Sequence, residues 1–176
     1  MAKVAVIYKS RYGSTEKYAR WIAEETGADL YKCSEISPGR MEDYDVIVYG
    51  GALYAVNILG ISLIKNNYQK IKNKKLIIFS VGASPETQKA LSSVKDKNFT
   101  REMQAAIHFF HLRGALQYDK MSPKHRFMMY MLKKMIEKKN PEERDEDSIG
   151  ILESYGKNVD FTDRETIKPI VRCING

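Results

Sequence analysis

Six consecutive residues near the start of the chain, Ser10-Arg11-Tyr12-Gly13-Ser14-Thr15, concentrate the groups best suited to holding an anion. Three aliphatic hydroxyls, a guanidinium and a glycine that allows close backbone approach stand between a β-branched run and a helical pattern. A helix N-terminus leaves its first N–H groups unsatisfied and carries about half a positive charge, so it favours a negative ligand. Two common phosphate signatures are missing. Without G-K-[ST], a nucleoside triphosphate with magnesium is disfavoured, and without G-x-G-x-x-G so is a dinucleotide. Hydroxyl donors with no obligatory lysine suit a single terminal phosphate monoester. Taken alone, the segment equally allows Ser14 to be a helix cap and Ser10 a turn residue.

Other reactive side chains form no constellation. His108 and His111 lie on an apolar run that reads as a strand, where a spacing of three sends them to opposite faces and excludes a shared metal ion. His125 stands alone, and no histidine takes a catalytic role in this reading. Cys33 and Cys173 show neither disulfide nor zinc spacing. No residue is an evident acid, base or nucleophile, so any catalysis rests on a bound cofactor.

The elements that must position the Ser10–Thr15 loop follow a regular alternation. Lys3–Tyr8 reads as a strand buried on both faces, followed by a helix with Tyr18, Trp21, Ile22 and Glu25 on one stripe and Gly27 closing it. Ala28–Lys32 is a weak strand. Tyr44–Tyr49 is a core strand ending in Gly50-Gly51-Ala52-Leu53-Tyr54, and Leu59–Tyr68 a helix. Leu76–Val81 is the next strand, ending in Gly82-Ala83-Ser84-Pro85. Helices are expected around Glu86–Lys95 and Thr100–Ala106, and a strand over Ile107–Leu112 ending in Arg113-Gly114-Ala115-Leu116. Pro123–Lys139 reads as a helix. Thr162-Asp163-Arg164-Glu165 has the form of a capping box for a last helix, which Pro169 should kink or stop.

Strand and helix thus alternate about five times, which calls for parallel strands joined by right-handed crossovers. The expected fold is α/β: a doubly wound five-stranded parallel sheet with helices on both faces, one domain over residues 1–176. Ligands of such sheets bind at the carboxyl ends of the strands, where the small-residue loops gather. Length and a hydrophobic fraction of 43% suit a globular domain, and no apolar run reaches the roughly 18 residues of a membrane span.

The segments Tyr8–Thr15 (YKSRYGST), Tyr44–Tyr54 (YDVIVYGGALY), Phe79–Pro85 (FSVGASP) and Arg113–Tyr118 (RGALQY) resemble those of flavodoxin-domain proteins. With the Lys/Met-rich helix and the VDFTDRE stretch, the likeness runs nearly the whole length. It points to the branch that includes menaquinone-dependent protoporphyrinogen dehydrogenase, because Tyr12 stands where short flavodoxins carry a hydroxyl residue. The resemblance implies FMN, with its phosphate held by Ser10, Arg11, Tyr12, Gly13, Ser14 and Thr15. Ala52, Leu53, Tyr54 and Ala55 would form a loop against one face of the ring, Tyr54 stacking. Val81, Gly82 and Ala83 would meet the ring's polar edge, and Gly114, Ala115 and Leu116 would border it. No metal is implied.

The net charge of +7 is segmental. Lys120, Lys124, Arg126, Lys133, Lys134, Lys138 and Lys139 face only Glu137 over residues 120–140, whereas an acidic run follows at Glu142–Asp147. That pattern is unlike a nucleic-acid coat, so no nucleic acid is expected. Phe127, Met128, Met131, Leu132, Met135 and Ile136 make a broad apolar arc on the same helix, which covers the sheet, docks on an anionic membrane or an acidic partner, or meets a flexible substrate such as a porphyrin or a polyisoprenoid tail. Three functions stay open: a quinone-linked dehydrogenase of protoporphyrinogen type, an electron carrier between protein partners, or a basic interaction module without flavin. The cytoplasm is the expected location, with peripheral contact at the inner face of the membrane.

Overall fold

The computed structural model of the protein describes residues 1–176. Chain order runs β1 (Val4–Lys9), α1 (Ser14–Thr26), β2 (Asp29–Lys32), α2 (Pro38–Met41), β3 (Val46–Tyr54), β4 (Asn57–Ile58), α3 (Ser62–Ile71) and β5 (Lys75–Gly82). It continues with α4 (Gln88–Asn98), α5 (Arg101–Ala106), β6 (Ile107–Arg113), β7 (Ala115–Gln117), α6 (Pro123–Glu137), α7 (Glu146–Ser154), β8 (Asn158–Asp160) and α8 (Lys168–Asn175). Five strands pair in parallel in the order β2-β1-β3-β5-β6, with the reversal of winding between β1 and β3. The doubly wound sheet expected from the alternation is the one observed.

The period-two rule explains how the sheet is covered on both sides. Ile7, Ile47, Tyr49, Leu76 and Ile78 point to one face and pack with Ile64, Tyr68 and Ile71 of α3 and Met103 of α5. Their neighbours Val6, Val48, Ile77 and Phe79 point to the other, against Tyr18 and Ile22 of α1 and Ile170 and Ile174 of α8. Trp21 is only half-buried and Glu25 exposed, so the helix stripe centres on Tyr18 and Ile22 with Ala19 and Ala23. Gly27 closes α1 in the left-handed region at φ 65, as its place after the last periodic residue predicts.

Several boundaries differ from the sequence reading for local reasons. β3 does not stop at Tyr49 but runs through Gly50-Gly51 to Tyr54, because Leu53 and Tyr54 pair with Ile58 and Asn57 in a short hairpin. Asn98, buried at the end of α4, pins that hairpin. Its Oδ1 accepts from the Ile58 amide at 3.0 Å, and its Nδ2 donates to the Val56 carbonyl at 2.7 Å. Leu59 is consequently held to Ala52, and α3 begins three residues later than its apolar pattern suggests. At the other end of the chain, Thr162 is not a helix cap: its hydroxyl binds Asp160 and Lys17. Asp163 caps a 3₁₀ turn over Arg164–Ile167 instead. Pro169 sits in the first turn of α8, where a missing N–H costs nothing, so it opens the helix rather than breaking it.

Tyr18 ties three of these parts together. Fully buried in α1, it donates to the Arg113 carbonyl at 2.6 Å and accepts from the Asp163 amide at 3.2 Å. Tyr18→Phe leaves both groups without their partner and is expected to cost about 1–3 kcal/mol. A lower urea midpoint with unchanged slope checks it; an unchanged midpoint contradicts it.

Candidate functional site

The β1–α1 turn settles the question of whether Ser14 is a cap. α1 starts at Ser14 from a left-handed Gly13 (φ 101) and has no side-chain cap. The amides of Ser14, Thr15 and Glu16 find no acceptor in the surrounding turns, so the helix presents open donors. Ser14 is engaged elsewhere: its Oγ accepts from the Ala115 amide at 2.9 Å, bridging to the loop after β6. The Ser10 hydroxyl accepts from the Gly13 amide at 3.0 Å, which makes it a turn residue as well. Both hydroxyls use lone pairs in these bonds and keep their O–H hydrogens available.

The sequence-derived residues converge. Ser10, Arg11, Tyr12, Ser14, Thr15, Ala52, Leu53, Tyr54, Val81, Gly82, Ala83, Gly114, Ala115 and Leu116 line one cleft at the carboxyl edge of the sheet. Two residues fall outside it. Gly13 shapes the turn from beneath, and Ala55 occupies the β3–β4 turn with φ 53 and lines the neighbouring hollow near Pro85. Ala52–Tyr54 therefore border the cleft as the end of a strand and not as the expected loop. Arg113 turns away: its guanidinium donates to the Ala83 carbonyl at 3.2 Å and stacks 3.8 Å above the Phe161 ring, holding two loops in place.

A further wall comes from the Met-rich helix, whose methionine face the sequence offers for a flexible ligand without naming the residues that enter the cleft. Met121, His125, Met128 and Met129, from α6 and the turn before it, close the cleft from above. Ser122 caps α6 and Pro123 fills its first turn, which aims these side chains down. Tyr54 Oη donates to Met128 Sδ at 2.8 Å, and His125 Nδ1 lies 2.5 Å from Tyr12 Oη. Arg11 stands 5.6 Å over the Tyr54 ring. The S-P dipeptide before a Met/His run was the available signal, but a cap names no neighbour. The arc on α6 divides instead of covering the sheet. Ile136 and His125 are buried, while Phe127 and Met135 are each 63% exposed, among Lys124, Lys134 and Lys138 on the outer side.

His108 is exposed, and His111 bonds Ser80 Oγ at 2.9 Å and the Ser84 carbonyl at 3.0 Å. Burial holds His111 below the ordinary histidine range. The two histidines share no ligand, and no cluster of metal-binding side chains exists in the structure. No helix is long and apolar enough to cross a membrane.

The profile of the flavodoxin domain family matches residues 5–144, most of the chain, and the protein belongs to that family. Membership indicates FMN as the cofactor. An uncharacterised protein of Methanocaldococcus jannaschii is 36% identical over 85 residues, a stretch that is 47% of this chain and 56% of that protein. Among solved structures, the flavodoxin WrbA-like protein of Agrobacterium tumefaciens aligns at TM-score 0.47 and 17% identity, over 61% of this chain and 76% of that one. The Trp repressor binding protein of Bacillus subtilis aligns at 0.46 and 16% identity, over 64% and 83%.

The cleft depends on one close approach. A β-carbon on Gly114 would lie 2.9 Å from Val81 Cγ1 and 3.2 Å from Ser14 Cβ, inside van der Waals contact with two other loops. Gly114→Ala is expected to destabilise by about 1–3 kcal/mol through overpacking. Gly150→Ala, where nothing lies within 4 Å on the helix α7, serves as the control and leaves stability unchanged or raised. Equal effects of the two substitutions in urea titrations would contradict the packing argument.

Proposed function

We propose that the protein is an FMN-dependent redox protein whose chemistry is a dehydrogenation linked to a quinone, of protoporphyrinogen type. The observation that carries the cofactor assignment is the joining of an uncapped helix N-terminus and an apolar slot in one cleft. The residues present fit the group. A phosphate would take the open amides of α1 and the O–H groups of Ser10, Ser14 and Thr15, with Arg11 adding charge. The apolar ring would take Leu53, Tyr54, Val81 and Leu116, and the backbone of Gly82, Ala83 and Ala115 would serve its polar edge. When bound, FMN supplies the acceptance and release of electrons.

Residues of the chain set the conditions for that chemistry. Tyr54 and the α6 methionines line the slot with apolar surface. No aspartate or glutamate lines the cleft, and Arg11 is its fixed positive charge, so negative charge arriving at the site meets no carboxylate repulsion. The wall made by α6 favours the dehydrogenase over the carrier, since it adds Met121, Met128 and Met129 to the cleft as apolar side chains that a small organic substrate could meet. A carrier shows no turnover with reduced porphyrin and a menaquinone analogue unless a reductase is added.

The first experiment is the visible spectrum of the purified protein, followed by chromatography of the chromophore released by heat. FMN at about one per chain is expected, as a single phosphate-sized helix terminus implies. A colourless protein that refuses added FMN overturns the assignment and leaves a basic interaction module.

The outer side of α6 fits an anionic lipid surface. Phe127, Met131 and Met135 are exposed at helical spacing with Lys124, Lys134 and Lys138 between them, so apolar groups and charges that can reach headgroups share one side. Replacing Lys124, Lys134 and Lys138 by glutamate is expected to abolish sedimentation with vesicles of one-third phosphatidylglycerol in phosphatidylcholine, about 1 kcal/mol being lost per lysine before the added repulsion. Unchanged sedimentation would refute lipid as the partner.

A further inference from the structure

His125 is the one histidine that lines the cleft, and the redox reading above gives it no task. It is 8% exposed, in the first turn of α6, where its amide donates to the capping Ser122 hydroxyl. Its ring is fixed from two sides. Nδ1 lies 2.5 Å from Tyr12 Oη, with the two rings edge to face at 5.9 Å between centroids. Tyr54 packs on it at 5.3 Å. Nε2 has no protein partner among the side-chain hydrogen bonds, so it is the nitrogen left for a ligand in the cleft.

The surroundings disfavour the charged form of this imidazole. Burial, then the positive charges of Arg11 and Lys124, hold His125 below the ordinary histidine range. The ionisable groups facing it are Arg11 and Tyr12 from the β1–α1 turn, Tyr54 from β3 and Lys124 from α6, and no carboxylate lines the cleft to favour its cation. A neutral imidazole with one nitrogen tied and the other free is the form a general base takes.

We infer that His125 is the acid–base residue of the cleft: its Nδ1–H donates to the Tyr12 oxygen, and its Nε2 lone pair accepts the proton that an organic substrate loses on oxidation there. The inference rests on the FMN reading and deepens it, naming the substrate class as a donor of two electrons and two protons. For a porphyrinogen-type donor, the hydrogen of a bridging C–H bond and its electron pair would go to the acceptor that bound FMN supplies. A pyrrole N–H bond would break heterolytically, its proton passing to Nε2 and its electrons completing the new carbon–nitrogen double bond. The imidazolium then returns the proton to solvent. Tyr12, itself part of the cleft wall, acts here as a positioning residue through its hydrogen bond to Nδ1.

Nitrogen-15 spectra of the imidazoles in the purified chain at pH 8 test the first part, with His125→Gln assigning the signal. A protonated Nδ1 and a bare Nε2 are expected, and Tyr12→Phe should remove that preference. A protonated Nε2 overturns the inference, because no lone pair then faces the cleft. For the second part, the FMN-loaded protein is reduced without oxygen by a reduced porphyrin and, separately, by dithionite, which has no proton to surrender to the protein. His125→Gln is expected to slow reduction by the porphyrin by about 10²–10⁴-fold, the usual share of a general base, and to erase the acid limb of its pH profile while dithionite is unaffected. Equal slowing with both reductants, or none with the reduced porphyrin, overturns it. If the wild-type chain takes up no FMN, the function reading fails, and the tautomer, which needs no flavin, still decides whether His125 offers a base.

Discussion

The carboxyl edge of the sheet is organised by the backbone contact at Gly114. Its amide donates to the Gly82 carbonyl at 2.8 Å, and the next amide, that of Ala115, donates to Ser14 Oγ at 2.9 Å. Three loops, after β1, β5 and β6, are thereby drawn to one point with no side chain of Gly114 between them. Ser14 cannot then turn back to cap its own helix, so the helix terminus remains open. A single packing constraint thus creates both the narrow slot and the electropositive end beside it, and neither would exist if the loops stood a β-carbon further apart.

The second determinant is the route of the chain between β7 and β8. These strands pair directly, Ala115 with Asp160 and Gln117 with Asn158, yet residues 118–157 intervene. α6 and α7 fill that excursion, bound to each other through Lys133 over the Tyr155 ring and through Arg144 to the carbonyls of Glu137 and Lys139. Contacts with the sheet domain concentrate at the cleft, through Tyr12–His125 and Tyr54–Met128. The excursion is attached where chemistry would occur and is otherwise held by its own helices.

Much of the fold was legible because the signals were local. Short apolar runs marked β1, β3, β5 and β6, and Gly27 marked its helix end. The residues now lining the cleft were named through the flavodoxin resemblance, and sheet geometry accounts for their meeting, since doubly wound sheets gather their loops at one edge. What escaped depends on contacts distant in sequence. The continuation of β3 into a hairpin rests on Asn98, which lies 42 residues beyond the Val56 carbonyl it holds. Tyr12 and His125 are separated by 113 residues, and no periodicity links them. The exposed arc of α6 was visible as an arc, but which of its edges would be covered was set by α7, whose own apolar residues form only a weakly one-sided pattern.

The excursion also divides the molecule energetically. Neither apolar cluster contains a residue between Leu112 and Ile167. The buried side-chain atoms lacking a partner, Gln117 Oε1, Arg144 Nε and Asp147 Oδ1, all fall within this stretch. Local opening there breaks few of the contacts on which global stability depends, so its amides should be the first to exchange with solvent while the sheet stays protected. Natural selection is correspondingly free to rewrite the helices over the cleft without endangering the sheet beneath, which makes this stretch the natural place for relatives to diverge in what they receive.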